Sequence, residues 1–222
     1  TIIMARKTKH RPSEPSVSAQ QQQSGGAQQH TRTNSDFSGL AAQWAPRLLV
    51  LFLALGLLLR VSNIAELSLW MDEYVHVLRA KYFLDDGEPL FTDDNNGILL
   101  TLALLPGFAL FDSSVFWARL PSVLFGVALI YVVYRLGARL FGRYVGLFAA
   151  AGATLSLYLI FWSRVSRNYE IFSLMYLLLG LVFLLAMEAK PDVAATDRLS
   201  RAGMSKKYLW LLPVVGLLSF LS

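Results

Sequence analysis

The stretch Leu48-Leu49-Val50-Leu51-Phe52-Leu53-Ala54-Leu55-Gly56-Leu57-Leu58-Leu59-Arg60 decides the fold, and Leu69-Trp70-Met71-Asp72-Glu73-Tyr74 follows it closely. The apolar run carries no charge until Arg60, and with its flanks from Trp44 to Ile64 it matches the roughly 20 residues needed to cross a bilayer core. No small-x-small cleavage site follows, so it reads as a membrane span and not a signal peptide. Arg60, at its far end, is expected to snorkel to the headgroups.

Composition agrees. Of 222 residues, 55% are hydrophobic and 16% charged, with mean hydropathy +0.48. A soluble domain would carry about 25% charge. The net charge of +5 does not point to nucleic acid, because the basic residues sit at segment ends and not on one face. The absence of cysteine removes disulfides and thiol chemistry.

Residues 1–43 are rich in Gln, Ser, Thr and Gly and carry mostly basic charge. Such a segment cannot offset its ordering entropy by burial, which predicts a disordered cytoplasmic tail. Beyond the first span, residues 62–117 hold nine of the fifteen acids against only Arg79 and Lys81, so the Lys/Arg bias places this loop outside the cytoplasm. Within it, Ile98–Phe111 is apolar but short and broken by Pro106-Gly107, which favours an interfacial or re-entrant helix over a span.

Further spans are expected at Ala118–Ala138, Tyr144–Trp162 and Ile171–Met187, with a fifth beginning at Tyr208. Arg135, Arg139 and Arg143 mark one cytoplasmic turn, and Lys190, Arg198, Arg201, Lys206 and Lys207 another. Gly146 and Gly152 are expected to let the third span approach a neighbour closely. The chain starts at Thr1, with Met4 close behind, and stops at Ser222 in an apolar run too short to span. It is therefore expected to be an amino-terminal fragment, inactive alone, with residues 44–222 an incomplete transmembrane domain. The fold class is all-α, a polytopic helix bundle in the cell (inner) membrane.

As a helix at about 100° per residue, Met71–Phe83 puts Met71, Val75, Leu78 and Tyr82 on one face and Asp72, His76 and Arg79 opposite, with Glu73 on the flank. The apolar stripe would rest on lipid or helices, and the polar face would meet a water-facing cavity. A carboxylate there can take a proton from an acceptor hydroxyl or hold a hard divalent cation beside a phosphate. Most Asp-Glu pairs are merely solvated helix starts. Arg60, Arg119, Arg164 and Arg167 all fall at outer span ends, where guanidinium groups bind phosphate bidentately or simply meet headgroups. His76 and Arg79 read as supporting residues behind the carboxylates.

The run Leu57–Arg60 with Leu69–Glu73 resembles the start of GT-C fold glycosyltransferases, in the group of protein O-mannosyltransferases, aminoarabinose transferases and rhizobial lipopolysaccharide glycosyltransferases. Ala118-Arg119-Leu120-Pro121-Ser122 with Gly126, Gly142–Gly146, and Ser163-Arg164 with Arg167-Asn168-Tyr169 resemble its next signatures. The likeness covers about residues 44–190. It implies a polyprenyl-phosphate sugar donor, a glycan, lipid or protein acceptor, and usually inversion at the anomeric carbon. It implies catalytic roles for Asp72 and Glu73, with Asp72 as base or metal ligand, and donor-phosphate contacts from Arg119, Arg164, Arg167 and Tyr169. Relatives often carry a Lys/His-Pro-Pro-type element where this chain has Asp93-Asp94-Asn95-Asn96-Gly97-Ile98, so a lysine contact to the phosphate has no counterpart here.

The competing class is a non-enzymatic multi-pass protein, a transporter subunit or scaffold. That class places ionisable residues inside spans along a pathway, whereas here they gather at the expected outer ends.

Overall fold

The computed structural model describes residues 43–90, 97–188 and 205–222. The expected disorder of the tail up to residue 42, the acids Asp93 and Asp94, and the bases Lys190, Arg198 and Arg201 lie outside the described residues. Gln43, assigned to the tail from sequence, is already helical. The chain divides into two units, 1–44 and 45–222; everything below concerns the second.

All elements among the described residues are helices. They are α1 (Gln43–Val61), α2 (Met71–Asp85), α3 (Ile98–Leu110), α4 (Val115–Phe141), α5 (Arg143–Leu155), α6 (Leu157–Ser163), α7 (Tyr169–Met187) and α8 (Lys206–Leu221). Three of them, α1, α4 and α7, are long and apolar enough to cross a membrane. At 1.5 Å per residue, the 13 residues of α3 extend about 20 Å, short of a hydrocarbon core of about 30 Å.

The third expected span is not one straight helix. It breaks at Ser156 into α5 and α6, bent by 60°. Ser156 leaves the helical region (φ −64°, ψ 112°), and its Oγ accepts a hydrogen bond from the Leu159 amide. Serine competes for backbone groups in this way and starts a new helix instead of continuing the old one.

The central element is α4, which packs against α3, α5, α6 and α7, while α8 lies against α7 and α2 against α3. The turn at Gly142, in the left-handed region at φ +94°, folds α5 back onto α4. There Gly146 touches the α4 backbone so closely that a Cβ would lie 2.7 Å from both Ala138 N and Tyr134 O. The small-residue expectation thus holds for Gly146 but not for Gly152, which faces open space.

One buried cluster joins Leu129 and Val132 of α4 to Leu174 and Leu181 of α7. A second joins Val77 and Ala80 of α2 to Leu104 and Phe108 of α3 and Ala118 of α4. The second cluster seats the short helices α2 and α3 on the first turns of α4. The end of α1, the starts of α4 and α7 and the end of α6 therefore meet at one end of the bundle, beside α2.

Candidate functional site

Glu73 and Arg119 form the centre of this end. Glu73 is the third residue of α2, and its Oε2 accepts from the Trp70 amide at 2.8 Å, satisfying one of the helix's unpaired amino-terminal donors. The indole of Trp70 has no acceptor to return the bond, so only the Glu73 half of a capping box can form. Arg119, one turn into α4, donates Nε to Glu73 Oε1 at 2.9 Å and Nη2 to Oε2 at 2.7 Å. Its remaining N–H groups go to backbone carbonyls: Nη1 to Ile64 and Leu67 at 2.8 and 3.0 Å, Nη2 to Ser68 at 3.1 Å.

A guanidinium has five N–H groups, and all five of Arg119's are engaged. Glu73 Oε1 accepts one more bond, from the Ser166 amide at 2.6 Å. Burial pushes the Glu73 pKa up, but the hydrogen bonds from Arg119, Ser166 and Trp70, with the Arg119 charge, outweigh it and hold the carboxyl below its ordinary value. Glu73 is fully buried, ionised and saturated. The phosphate contact expected of Arg119 has no donor left to make it, and the catalytic role expected of Glu73 has no free oxygen lone pair facing solvent. Both residues instead tie the 62–70 connection, α2, α4 and the 164–168 connection together.

Asp72, its sequence neighbour, points the other way. Its side chain is 68% exposed and lies 3.4 Å from Arg167 Nη1, which also donates to the Asp72 carbonyl at 3.1 Å. Arg167 Nη2 donates to the Tyr169 hydroxyl at 3.4 Å, and the guanidinium lies 5.4 Å from that ring's centroid. Trp162 packs edge-on against Tyr169 at 4.5 Å. Asp72, Arg167 and Tyr169, three residues singled out from sequence, thus form one exposed group rimmed by aromatic rings.

Arg164 stands apart from that group. Its Nη2 donates to the carbonyls of Ser62 and Asn63 at 2.8 and 3.3 Å. It lines a cavity of about 240 Å³ with Trp70, Leu157, Phe161 and the edge of Arg119.

The placement of His76 on the water-facing side of α2 needs correction. Glu73, His76, Val77 and Ala80 are its buried residues, and Met71, Val75, Leu78 and Tyr82 are exposed. His76 does not share a water-facing cavity with Asp72. It lies against α3, with Nδ1 3.1 Å from Thr101 Oγ1, both side chains buried. Burial first, then the charges of Arg167 and Arg79, lower its pKa to about 4, so the imidazole is neutral near pH 7.

Arg60 also departs from expectation. It turns into the bundle and is fully buried, with Nη1 on the Gly56 carbonyl and Nη2 on the Ala153 carbonyl, both at 3.2 Å. Gly126 makes room for it: a Cβ there would meet Ser163 Cβ at 2.7 Å, Glu170 Oε1 at 2.9 Å and Arg60 Nε at 3.0 Å. Glu170 is buried beside it and was not singled out from sequence, although a carboxylate opening an apolar span is the signal that could have found it. Thr101, the partner of His76, carried no such signal.

No group of three or more His, Cys, Asp or Glu side chains converges among the described residues. Asp72 has the cation Arg167 beside it, with Nη1 3.4 Å from its Oδ2.

A family model for dolichyl-phosphate-mannose-protein mannosyltransferase matches residues 96–221, more than half of the chain. The chain belongs to this family. Dolichyl-phosphate-mannose-protein mannosyltransferases are membrane glycosyltransferases of GT-C fold, and the all-helical architecture of the described residues, with three helices long and apolar enough to cross a membrane, is of that type. The family match begins after Asp72 and Glu73 but includes Arg119, Arg164, Arg167 and Tyr169. No curated protein and no solved structure matches the chain.

Proposed function

We propose that the protein transfers a sugar from a polyprenyl-phosphate donor to an acceptor hydroxyl, with Asp72 as general base. The supporting observation is the exposed Asp72 carboxylate beside Arg167, at the end of the bundle where α1, α4 and α7 begin or finish. Asp72 accepts the acceptor's hydroxyl proton as that oxygen bonds to the anomeric carbon. The bond from that carbon to the phosphate oxygen breaks, and the electron pair leaves with the phosphate, inverting the centre.

Arg167 stabilises the departing charge with Nε and the N–H groups it does not spend on Asp72 and Tyr169. Tyr169, which opens α7, meets the same phosphate, while Arg164 lines the separate cavity beside Trp70 and does not reach it. Glu73 and Arg119 position Asp72 and touch no substrate. The reacting end faces away from the cytoplasm, in keeping with the acidic character of residues 62–117.

Transfer by the full-length protein tests the assignment. Asp72→Asn removes the base at nearly constant shape and is expected to lower kcat by about 10²–10⁴-fold with donor binding retained. Near-wild-type turnover in that variant overturns the base assignment.

A further inference from the structure

Four buried polar atoms on α1, α4, α7 and the connection before α7 have no hydrogen-bond partner among the described residues: Arg60 Nε, Ser122 Oγ, Ser166 Oγ and Glu170 Oε1. Their side chains are all buried, and folded interiors pair such atoms with protein or with ordered water. Two of the four face one point. The position a Cβ would take on Gly126 is 2.9 Å from Glu170 Oε1 and 3.0 Å from Arg60 Nε. Those two atoms are therefore at most about 6 Å apart, yet they are not bonded to each other. The serines stand close by in the chain. Ser122 precedes Gly126 by four residues on the same face of α4. Ser166 precedes Glu170 by four, with its amide on Glu73 and its hydroxyl uncommitted.

Charge and size identify what completes this pocket. The guanidinium Nε only donates and the carboxylate oxygen only accepts. A bound cation would face Arg60 and a bound anion would face Glu170, so the pocket suits a neutral molecule that both accepts and donates. Hydrogen bonds of about 2.7–3.0 Å on either side of one oxygen atom span the separation. Gly126 keeps the position clear, since any Cβ there would also lie 2.7 Å from Ser163 Cβ. Buried waters make about three hydrogen bonds to such atoms, and serine hydroxyls, each donor and acceptor, can supply those that Arg60 and Glu170 do not.

We propose that an ordered water molecule is bound beside Gly126, accepting from Arg60 Nε and donating to Glu170 Oε1, with further hydrogen bonds to the hydroxyls of Ser122 and Ser166. The water joins the end of α1 to the first turn of α7 across α4, while Arg60 Nη1 and Nη2 hold the Gly56 and Ala153 carbonyls. The site is independent of the transfer reaction.

A cryo-electron-microscopy map of the full-length protein, at a resolution that shows ordered waters elsewhere in the bundle, is the test. The expected result is a density peak within hydrogen-bond distance of both Arg60 Nε and Glu170 Oε1. Gly126→Ala puts a methyl against both atoms and should abolish the peak. Removing both hydroxyls, Ser122→Ala with Ser166→Ala, should lower the thermal unfolding midpoint in detergent, because the water loses partners. In a dry pocket the same change deletes two unpaired hydroxyls and leaves the midpoint unchanged or raised. The proposal is overturned by an absent peak, by a direct Arg60–Glu170 contact in its place, by a peak that survives Gly126→Ala, or by an unchanged or raised midpoint in the serine variant. If Gly126→Ala fails to fold, the map of the unmutated protein and the serine variant still decide.

Discussion

Arg119 closes a fork on Glu73, two parallel hydrogen bonds of 2.9 and 2.7 Å between residues 46 positions apart, and both side chains are buried. A buried pair of this kind is costly to break from one side, since the remaining charge stays desolvated.

Arg119→Ala is therefore expected to destabilise the protein by about 3–5 kcal/mol. Arg119→Lys should recover little, because an ammonium cannot supply five donors in a plane. Thermal unfolding in detergent reads both, with Asp72→Asn as the reference that should unfold like wild type. If Arg119→Ala also unfolds like wild type, the fork is not structural.

Arg167 contacts Asp72 at the surface, so its loss should appear in binding and not in folding. Arg167→Ala is expected to raise KM for the lipid-phosphate donor at least tenfold and leave KM for the acceptor within about twofold, a loss of roughly 1.5–3 kcal/mol in charge-assisted contacts. Initial-rate kinetics with each substrate varied in turn measure the two. Equal effects on donor and acceptor would count against a phosphate contact.

The pH dependence of stability carries the mark of His76. Its imidazole titrates near 6.5 when unfolded and near 4 when folded, so between those values the unfolded chain binds more protons and acid favours unfolding. The contribution is complete above about pH 6.5, falls as pH drops toward 4, and is at most about 3 kcal/mol. Glu73, lowered from 4.5, loses its contribution only at more acidic pH. Unfolding midpoints compared at pH 7 and pH 5 should differ more in wild type than in His76→Gln.

Two glycines in the bundle should respond oppositely to alanine. Gly126→Ala forces a Cβ against Ser163, Glu170 and Arg60, and overpacking of this kind costs about 1–3 kcal/mol. Gly152→Ala enters open space on α5 and should be neutral or stabilising by up to about 1 kcal/mol. The same unfolding measurement separates them, and a loss at Gly152 as large as at Gly126 would contradict this packing.

Helices and their order were legible because apolar length is a direct physical requirement of the bilayer, and the short, proline-broken run at 98–111 showed its inability to span in the same way. The break at Ser156 was not legible, since a serine within an apolar run continues a helix as often as it caps one. At the site, Asp72, Arg167 and Tyr169 came together as their positions at segment ends suggested. The roles of Glu73 and Arg119 did not follow from position. Which member of an adjacent carboxylate pair turns inward depends on where Arg119 and the Ser166 amide arrive, and those are contacts of long sequence separation. Arg60 shows the same blindness: an arginine at a span's end can reach for headgroups or for carbonyls left open by a neighbouring helix, and only the neighbour decides.

The bond from the Ser166 amide to Glu73 spans 93 residues, and this sets an order of assembly. As the chain emerges from the ribosome, α2 can settle on the membrane surface as soon as it is made, but the amino end of that helix lacks its full set of partners. Arg119 supplies most of them with α4, and Ser166 supplies the last only after the α5–α6 pair is in place. The first turn of α2, which carries Asp72, thus takes its final shape late, after four membrane-embedded helices have been laid down, and the polypeptide cannot present an organised reacting surface before then.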